Sequence, residues 1–492
     1  MSPALSAEAD DVQALPRSGF VKLVEAAFLL LQIRNRAAAR SWLRQAPVTT
    51  VADLKGYQPT ALQVAVSANG LKKLGVAAPI VEAFAPEFLS GMAGDEARSR
   101  RLGDVGDNAP RQWRWGGTGE PDVLLLLYAE QGKLDAWKGS IITALAQNGF
   151  DVVIELATSN MHDKEPFGFT DGVSQPQIDW DDVRKPGGTA DLDYGNLISK
   201  GEFLLGYANE YGQYTDRPLL PDNAAEALPR AEDRAELGDL GRNGTYLVLR
   251  ELHQDVRAFW RYAAQQEGQT AARNLAEAMV GRQTSGQPLI APQCAPIRGV
   301  PPSSPQNRFT YDTDSQGMIC PLGAHVRRAN PRTGDMPGGS RQSLVARFLR
   351  TLGFTRIDLR SDLVASSRFH RIIRRGREFG TWVAPEAAMR PDCPDPQSGL
   401  QFICLNANIS RQFEFVQNAW LASAKFNGLF DESDPLTGNR LPFPVGCATD
   451  CFSVTQQNGV ARRFRRLPAF VTVRGGGYFF LPGVRALRFL TQ

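Results

Sequence analysis

Val123-Leu-Leu-Leu-Leu-Tyr128 is a continuous apolar run of buried-strand length, and Asp151-Val-Val-Ile-Glu-Leu156 reads as a second strand. Between them, residues 132–149 place Leu134, Trp137, Ile141, Ile142 and Leu145 at helical spacing. A strand, a helix and a strand joined by so few residues point to α+β layer packing, with the helix laid on one face of a sheet.

The alternation recurs on both sides of this stretch. Upstream, Leu43 closes a helical pattern with Ala37–Ala39. Downstream, 245–249 reads as a strand, and Val256, Phe259, Trp260 and Ala263 make a helical stripe after it. Residues 402–405 read as a strand that runs into a helix over 409–425, with Ile409, Phe413, Val416, Trp420 and Leu421 on one face. Pro- and Gly-rich stretches at 185–188, 217–222 and 283–305 separate these sets. A boundary near 210–240 therefore divides the chain into two α+β halves, 1–220 and 221–492.

Composition excludes several classes. The 492 residues are 42% hydrophobic and 22% charged, which is ordinary globular material. Lys+Arg number 55 against 52 Asp+Glu, so no strong field draws nucleic acid or anionic lipid. The apolar runs at 26–31 and 123–129 fall far short of the roughly 20 residues that span a bilayer. The opening MSPALSAEADD is acidic where a signal peptide is basic, so a cytoplasmic location is expected. Of six Cys only Cys447 and Cys451 are close, as C-x3-C. No second Cys or His pair lies nearby, and reduced thiols are expected, neither zinc nor a disulfide scaffold.

Four histidines limit any imidazole chemistry to four candidates. Polar neighbours put His162 and His253 at the surface. His325 sits in Cys320-Pro-Leu-Gly-Ala-His325-Val-Arg-Arg-Ala-Asn-Pro-Arg332. Imidazole is a common axial ligand of haem iron, and arginines suit haem propionates; a solvated basic turn would look the same. In Gly168-Phe169-Thr170-Asp171-Gly172, the flanking glycines would let a flat ligand approach a carboxylate able to act as general base. The plain alternative is a D-G turn. In His370-Arg-Ile-Ile-Arg374-Arg375-Gly376, an arginine could project into a pocket to stabilise a developing anion, or the segment could be a basic strand edge.

Together the three segments resemble the dye-decolourising (DyP-type) haem peroxidases. GFTDGVSQP is similar to that family's distal motif, CPLGAHVRRANPR to its proximal-histidine motif, and HRIIRRGREFG to the segment bearing its distal arginine. LQFICLNANISRQFEFVQNAW and GGGYFFLPGVRALRFL extend the resemblance over most of the chain.

The resemblance implies two ferredoxin-like halves, with haem b, one per chain, between the distal loop and the C-terminal half. It implies His325 as iron ligand, Asp171 as distal acid–base group, and Arg374, the first of its pair, as distal arginine. Arg332 would contact a propionate; Phe169, Gly172, Leu400 and Phe402 would border the haem, and Glu414 would bond the other nitrogen of His325. The implied activity is reduction of hydrogen peroxide and, through a ferryl intermediate, oxidation of dyes, phenols or other small aromatic donors. Trp382 and Trp420 are candidate electron relays, and His370 is given a structural role. The rival reading is a haem carrier or dechelatase with incidental peroxidase activity, for which an Asp–Arg pair is surplus. Residues 333–369 depart as an insertion, with an Arg-rich helix expected at 340–354.

Overall fold

The first half of the chain runs strand, helix, strand, strand, helix, strand: β1 (Glu25–Ile33), α1 (Arg36–Gln45), β2 (Thr60–Val66), β3 (Val123–Ala129), α2 (Leu134–Gln147) and β4 (Phe150–Ala157). These strands pair antiparallel in the order β2-β3-β1-β4. The second half repeats the plan with β5 (Thr245–Gln254), α3 (Val256–Glu267), α4 (Ala272–Val280), a strand broken into β6 (Ile373–Arg374) and β7 (Arg377–Phe379), then β8 (Gly399–Asn406) and β9 (Val471–Leu481). Its order is β6/β7-β8-β5-β9. Both halves thus have the second, third, first, fourth order of a ferredoxin-like sheet, and the expected α+β fold is present. This computed structural model describes residues 8–184, 195–221, 227–292, 305–335, 366–440 and 448–492. The helix expected at 340–354 and Cys447 lie outside the described residues.

A single residue pair, Phe480 with Val66, joins β9 to β2 and makes the two sheets one. Strand side chains alternate between faces, and here both faces are covered. Leu29, Leu31, Leu125, Leu127, Val248 and Phe480 pack on one side with Leu43 of α1 and Leu145 of α2. Phe28, Leu30, Leu124, Leu126, Leu249 and Ile403 pack on the other with Val12, Leu15 and Phe20. That double burial is why β3 is apolar at every position instead of alternating. The division at 220/221 passes through a two-stranded ribbon in which Leu219–Pro221 pairs with Leu237–Asp239.

Two local expectations need correction. His253 is a buried residue of β5, paired with Gly399 and Thr472, not a surface residue at a helix start. The helix expected at 409–425 is wound wider than an α-helix over Ser410–Glu414 and Val416–Leu421. Glu414 N–H donates to Ile409 O (3.0 Å) and Ala422 N–H to Gln417 O (2.9 Å), each five residues back. Its apolar stripe accordingly divides: Ile409 and Phe413 join the sheet core, whereas Val416, Trp420 and Leu421 cluster with Phe426. Among the described residues no helix is long and apolar enough to cross a membrane.

Candidate active site

The Gly168–Gly172 segment is a tight loop whose backbone closes on itself. Glu165 N–H donates to Phe169 O (2.9 Å), Gly168 N–H to Glu165 O (2.8 Å) and Asp171 N–H to Asp163 O (3.1 Å). Gly168 (φ 97°) and Gly172 (φ 77°) occupy the left-handed region that a side chain would strain. Gly172 does not line the cavity below; it turns the chain, and its N–H bonds the Asp171 carboxylate.

Arg374 ends β6, opposite Cys404 of β8. Gln175 grips its backbone from both sides: Gln175 Oε1 accepts from Arg374 N–H (3.1 Å), and Gln175 Nε2 donates to Arg374 O (3.2 Å). The guanidinium Nη1 donates to Asp171 Oδ1 at 2.9 Å, and each side chain is about a third exposed, 32% and 34%. Arg375 turns the other way, onto Leu15 O (2.7 Å) and Pro16 O (2.8 Å). Burial alone would push the Asp171 carboxyl up. The Arg374 charge and the Gly172 N–H outweigh it and hold the group below its ordinary 3.8.

His325 opens the short helix α5 (His325–Ala329). Its Nδ1 donates to Asp434, 2.9 Å from Oδ2 and 3.1 Å from Oδ1, leaving Nε2 for the cavity. Asp434 is fully buried. Burial would raise its carboxyl, yet His325, the Thr437 N–H and Arg328 bring it down to about 2. Burial conversely lowers the His325 imidazole, and the Asp434 charge and hydrogen bond reverse that into a net rise. Glu414 is not this partner. Its carboxylate accepts from Tyr478 OH (2.9 Å) and pairs with Arg98 Nε (2.9 Å).

Asp171, Arg374, His325, Phe169, Leu400 and Phe402 all border one cavity of about 280 Å³. Arg332 does not. It is fully buried, donates to the carbonyls of Asn307 (3.1 Å) and Phe309 (2.9 Å), and stacks 3.8 Å over the Phe309 ring. Arg327 and Arg328 are likewise buried against carbonyl oxygens around α5. Besides Arg374, three arginines that were not candidates from the sequence reach the cavity: Arg282, Arg371 and Arg250, the last paired with buried Asp104. His370 also lines it, its Nδ1 bonded to Arg411 O and its ring stacked 3.5 Å from Phe415. Burial pushes that imidazole down to about 4. Trp420 lies edge-on to His370 (5.2 Å) and is buried, whereas Trp382 is 45% exposed.

These residues fit haem. Among the described residues no cluster of three His, Cys, Asp or Glu could cage a bare metal ion. One imidazole nitrogen facing an apolar cavity suits an iron that brings its own macrocycle nitrogens. Arg282 donates to Gly286 O, Gln306 O and Ser174 Oγ, all uncharged, so its charge can still meet an anionic propionate. Asp434, like Arg282 and Arg371, was not picked out from the sequence: it lies 109 positions from His325, with no spacing rule to connect them.

No family profile matches the chain. The multifunctional dye peroxidase DyP2 of Amycolatopsis sp. is 30% identical over 453 residues, covering 87% of this chain and 82% of its own. The dye-decolorizing peroxidase msp1 of Mycetinis scorodonius is 28% identical over 454 residues, covering 87% and 76%. Among solved structures, a fungal DyP-type peroxidase from Auricularia auricula-judae has a TM-score of 0.71 at 23% identity, over 98% of this chain and 99% of its own. The DyP-type peroxidase of Anabaena sp. has a TM-score of 0.70 at 21% identity, over 99% and 95%. The two structures speak for the fold, the 30% identity for the kinship: the chain belongs to the dye-decolourising peroxidase family.

Proposed function

We propose that this protein is a haem peroxidase that reduces hydrogen peroxide and oxidises dyes, phenols and other small aromatic one-electron donors. The observation that carries the reading is the Asp171–Arg374 pair, 2.9 Å apart, in the cavity that His325 also borders. A haem carrier or dechelatase has no use for such a pair. The cofactor in this reading is haem b, one per chain, with His325 as the iron ligand and Arg282 and Arg371 as propionate partners.

Haem, when bound, supplies the two-electron reduction of peroxide and the one-electron oxidations that follow. Asp171 takes a proton from one peroxide oxygen and returns it to the other, which leaves as water. Its depressed pKa keeps it a base in acid solution. Arg374, permanently cationic, stabilises the negative charge that gathers as the O–O bond breaks. Asp434 fixes the His325 ring and keeps Nε2 electron-rich. Phe169, Leu400 and Phe402 keep the cavity apolar, so these charges act in low dielectric.

An absorption spectrum of the purified protein tests the reading. A Soret band should appear, change within seconds of adding peroxide, and return as an added dye is bleached. Haem that binds but leaves peroxide and dye untouched would favour the carrier.

A further inference from the structure

We infer that Glu165 is a positioning residue that holds Asp171 in place, and this rests on Asp171 being the distal acid–base group. Glu165 borders the same cavity and has no part in the mechanism above. Three donors converge on its two oxygens. Phe167 N–H (3.0 Å) and Gln254 Nε2 (2.8 Å) donate to Oε2, and Phe169 N–H (2.9 Å) donates to Oε1. The carboxylate therefore spans the loop from inside and ties it to the end of β5.

The two amides it holds belong to the residues that anchor the loop. Phe167 packs on Phe259 of α3 with ring centres 4.5 Å apart, and Trp260 Nε1 donates to Phe167 O (3.0 Å). Phe169 stacks over Trp260. Asp171 is two residues beyond Phe169, so the direction in which the chain leaves Phe169 sets where the Asp171 carboxylate meets Arg374.

A carboxylate suits this place, and an amide does not. Glutamine offers one oxygen where two are needed, and its NH2 would face a backbone donor. The site also carries a cost: burial, and secondarily the nearby charge of Asp171, push Glu165 up to about 7. A second acid beside the catalytic one is tolerated because it shapes the loop that presents the first.

The test is a double-mutant cycle on the haem-loaded, full-length protein, read by stopped-flow reaction with hydrogen peroxide. Glu165→Gln alone should slow that reaction about 10- to 100-fold, since a misplacement near 1 Å costs on that order. In the Asp171→Asn background the same change should cost less than about 2-fold, because its target is gone. Equal losses in both backgrounds would make Glu165 a general support of the fold and overturn the inference; so would a wild-type rate in Glu165→Gln. If Glu165→Gln does not fold or retain haem, Gln254→Met, which removes one of the three donors, decides. It should slow the reaction about 3- to 10-fold when Asp171 is intact and not in the Asp171→Asn background, and a rate unchanged in both overturns the inference. An Asp171→Asn protein as fast as wild type would instead remove the distal reading itself, a separate result.

Discussion

Asp434 and Glu414 show how far a single residue can be read from sequence. Both are carboxylates downstream of His325, and either could have bonded its Nδ1. The wide helix turns Glu414 toward Arg98 and Tyr478, and Asp434 closes on His325 from a loop where Leu436 N–H (3.0 Å) and Thr437 N–H (2.8 Å) pin its Oδ1. His325→Ala should abolish haem retention, whereas Asp434→Asn should keep the ligand and loosen it, costing about 10- to 100-fold in haem affinity. Transfer of haem to apomyoglobin measures both, and an Asp434→Asn protein with wild-type transfer kinetics would remove the role given to that carboxylate. A second expectation concerns pH. A carboxyl held below its ordinary 3.8 stays a base until pH falls through that lowered value, while an imidazole base would fade near 6.5. Asp171 itself should therefore stay a base from pH 7 to about 4. In Glu165→Gln, which removes the neighbouring carboxyl that burial pushes up to about 7, the rate of reaction with peroxide should hold over that range; a collapse between 7 and 5 in that variant would sink Asp171 as the base. Asp171→Asn should lose about 10²–10⁴ in rate and its acid limb with it. Arg374→Leu should lose about 10²–10³. Because Arg374 is what outweighs burial at Asp171, that variant's acid limb should also move to higher pH.

At the scale of elements, β3, α2, β4, β5 and α3 were legible because burial on both faces, or on one stripe, leaves a plain apolar pattern. The wide helix was not. Hydrogen bonds to the fifth residue back leave no mark in composition, and the 3.6-residue stripe that 409–425 suggests is not the one it presents. Its winding matters for the site, since Phe413, Val416, Gln417 and Leu421 all reach the cavity wall. Gln412 locks it in place. This buried side chain donates to Arg371 O (2.5 Å) and Glu202 O (2.8 Å) and accepts from Asn408 N–H (2.9 Å). Gln412→Leu leaves the Arg371 carbonyl and the Asn408 amide without these partners, while Glu202 O keeps Ala407 N–H (3.0 Å), and a buried polar group left unpaired costs about 1–3 kcal/mol. Urea denaturation of the apoprotein should show a loss of at least about that size. Because Arg371 is one of the tethered residues, haem affinity should fall too; unchanged stability would mean that water or neighbouring groups satisfy those atoms.

Across the whole molecule, the halves are less separate than two repeats of one plan suggest. The division read from composition follows Pro and Gly, but the hydrophobic layers ignore it, each drawing on strands from both halves. The second half also leans on the first beside the Gly475–Gly477 run of β9, part of a motif whose glycines carry no signal of what they touch. Arg114 N–H donates to Arg474 O (2.8 Å), and the Trp115 indole lies on Gly475, its Nε1 donating to buried Glu251 Oε2 (2.9 Å). A Cβ on Gly475 would lie only 2.2 Å from the indole Nε1 and 2.4–2.5 Å from two of its ring carbons. Gly475→Ala must therefore displace Trp115, break its bond to Glu251 and open the seam between halves, and overpacking of this kind costs about 1–3 kcal/mol. Trp115→Leu alone should also destabilise, by leaving a void and an under-bonded carboxylate. In combination the two should cost less than their sum, because the smaller side chain makes room for the new methyl. Thermal unfolding of the four apoproteins reads this directly. Strict additivity would mean that Trp115 and Gly475 do not press on each other, and that the halves are held together elsewhere.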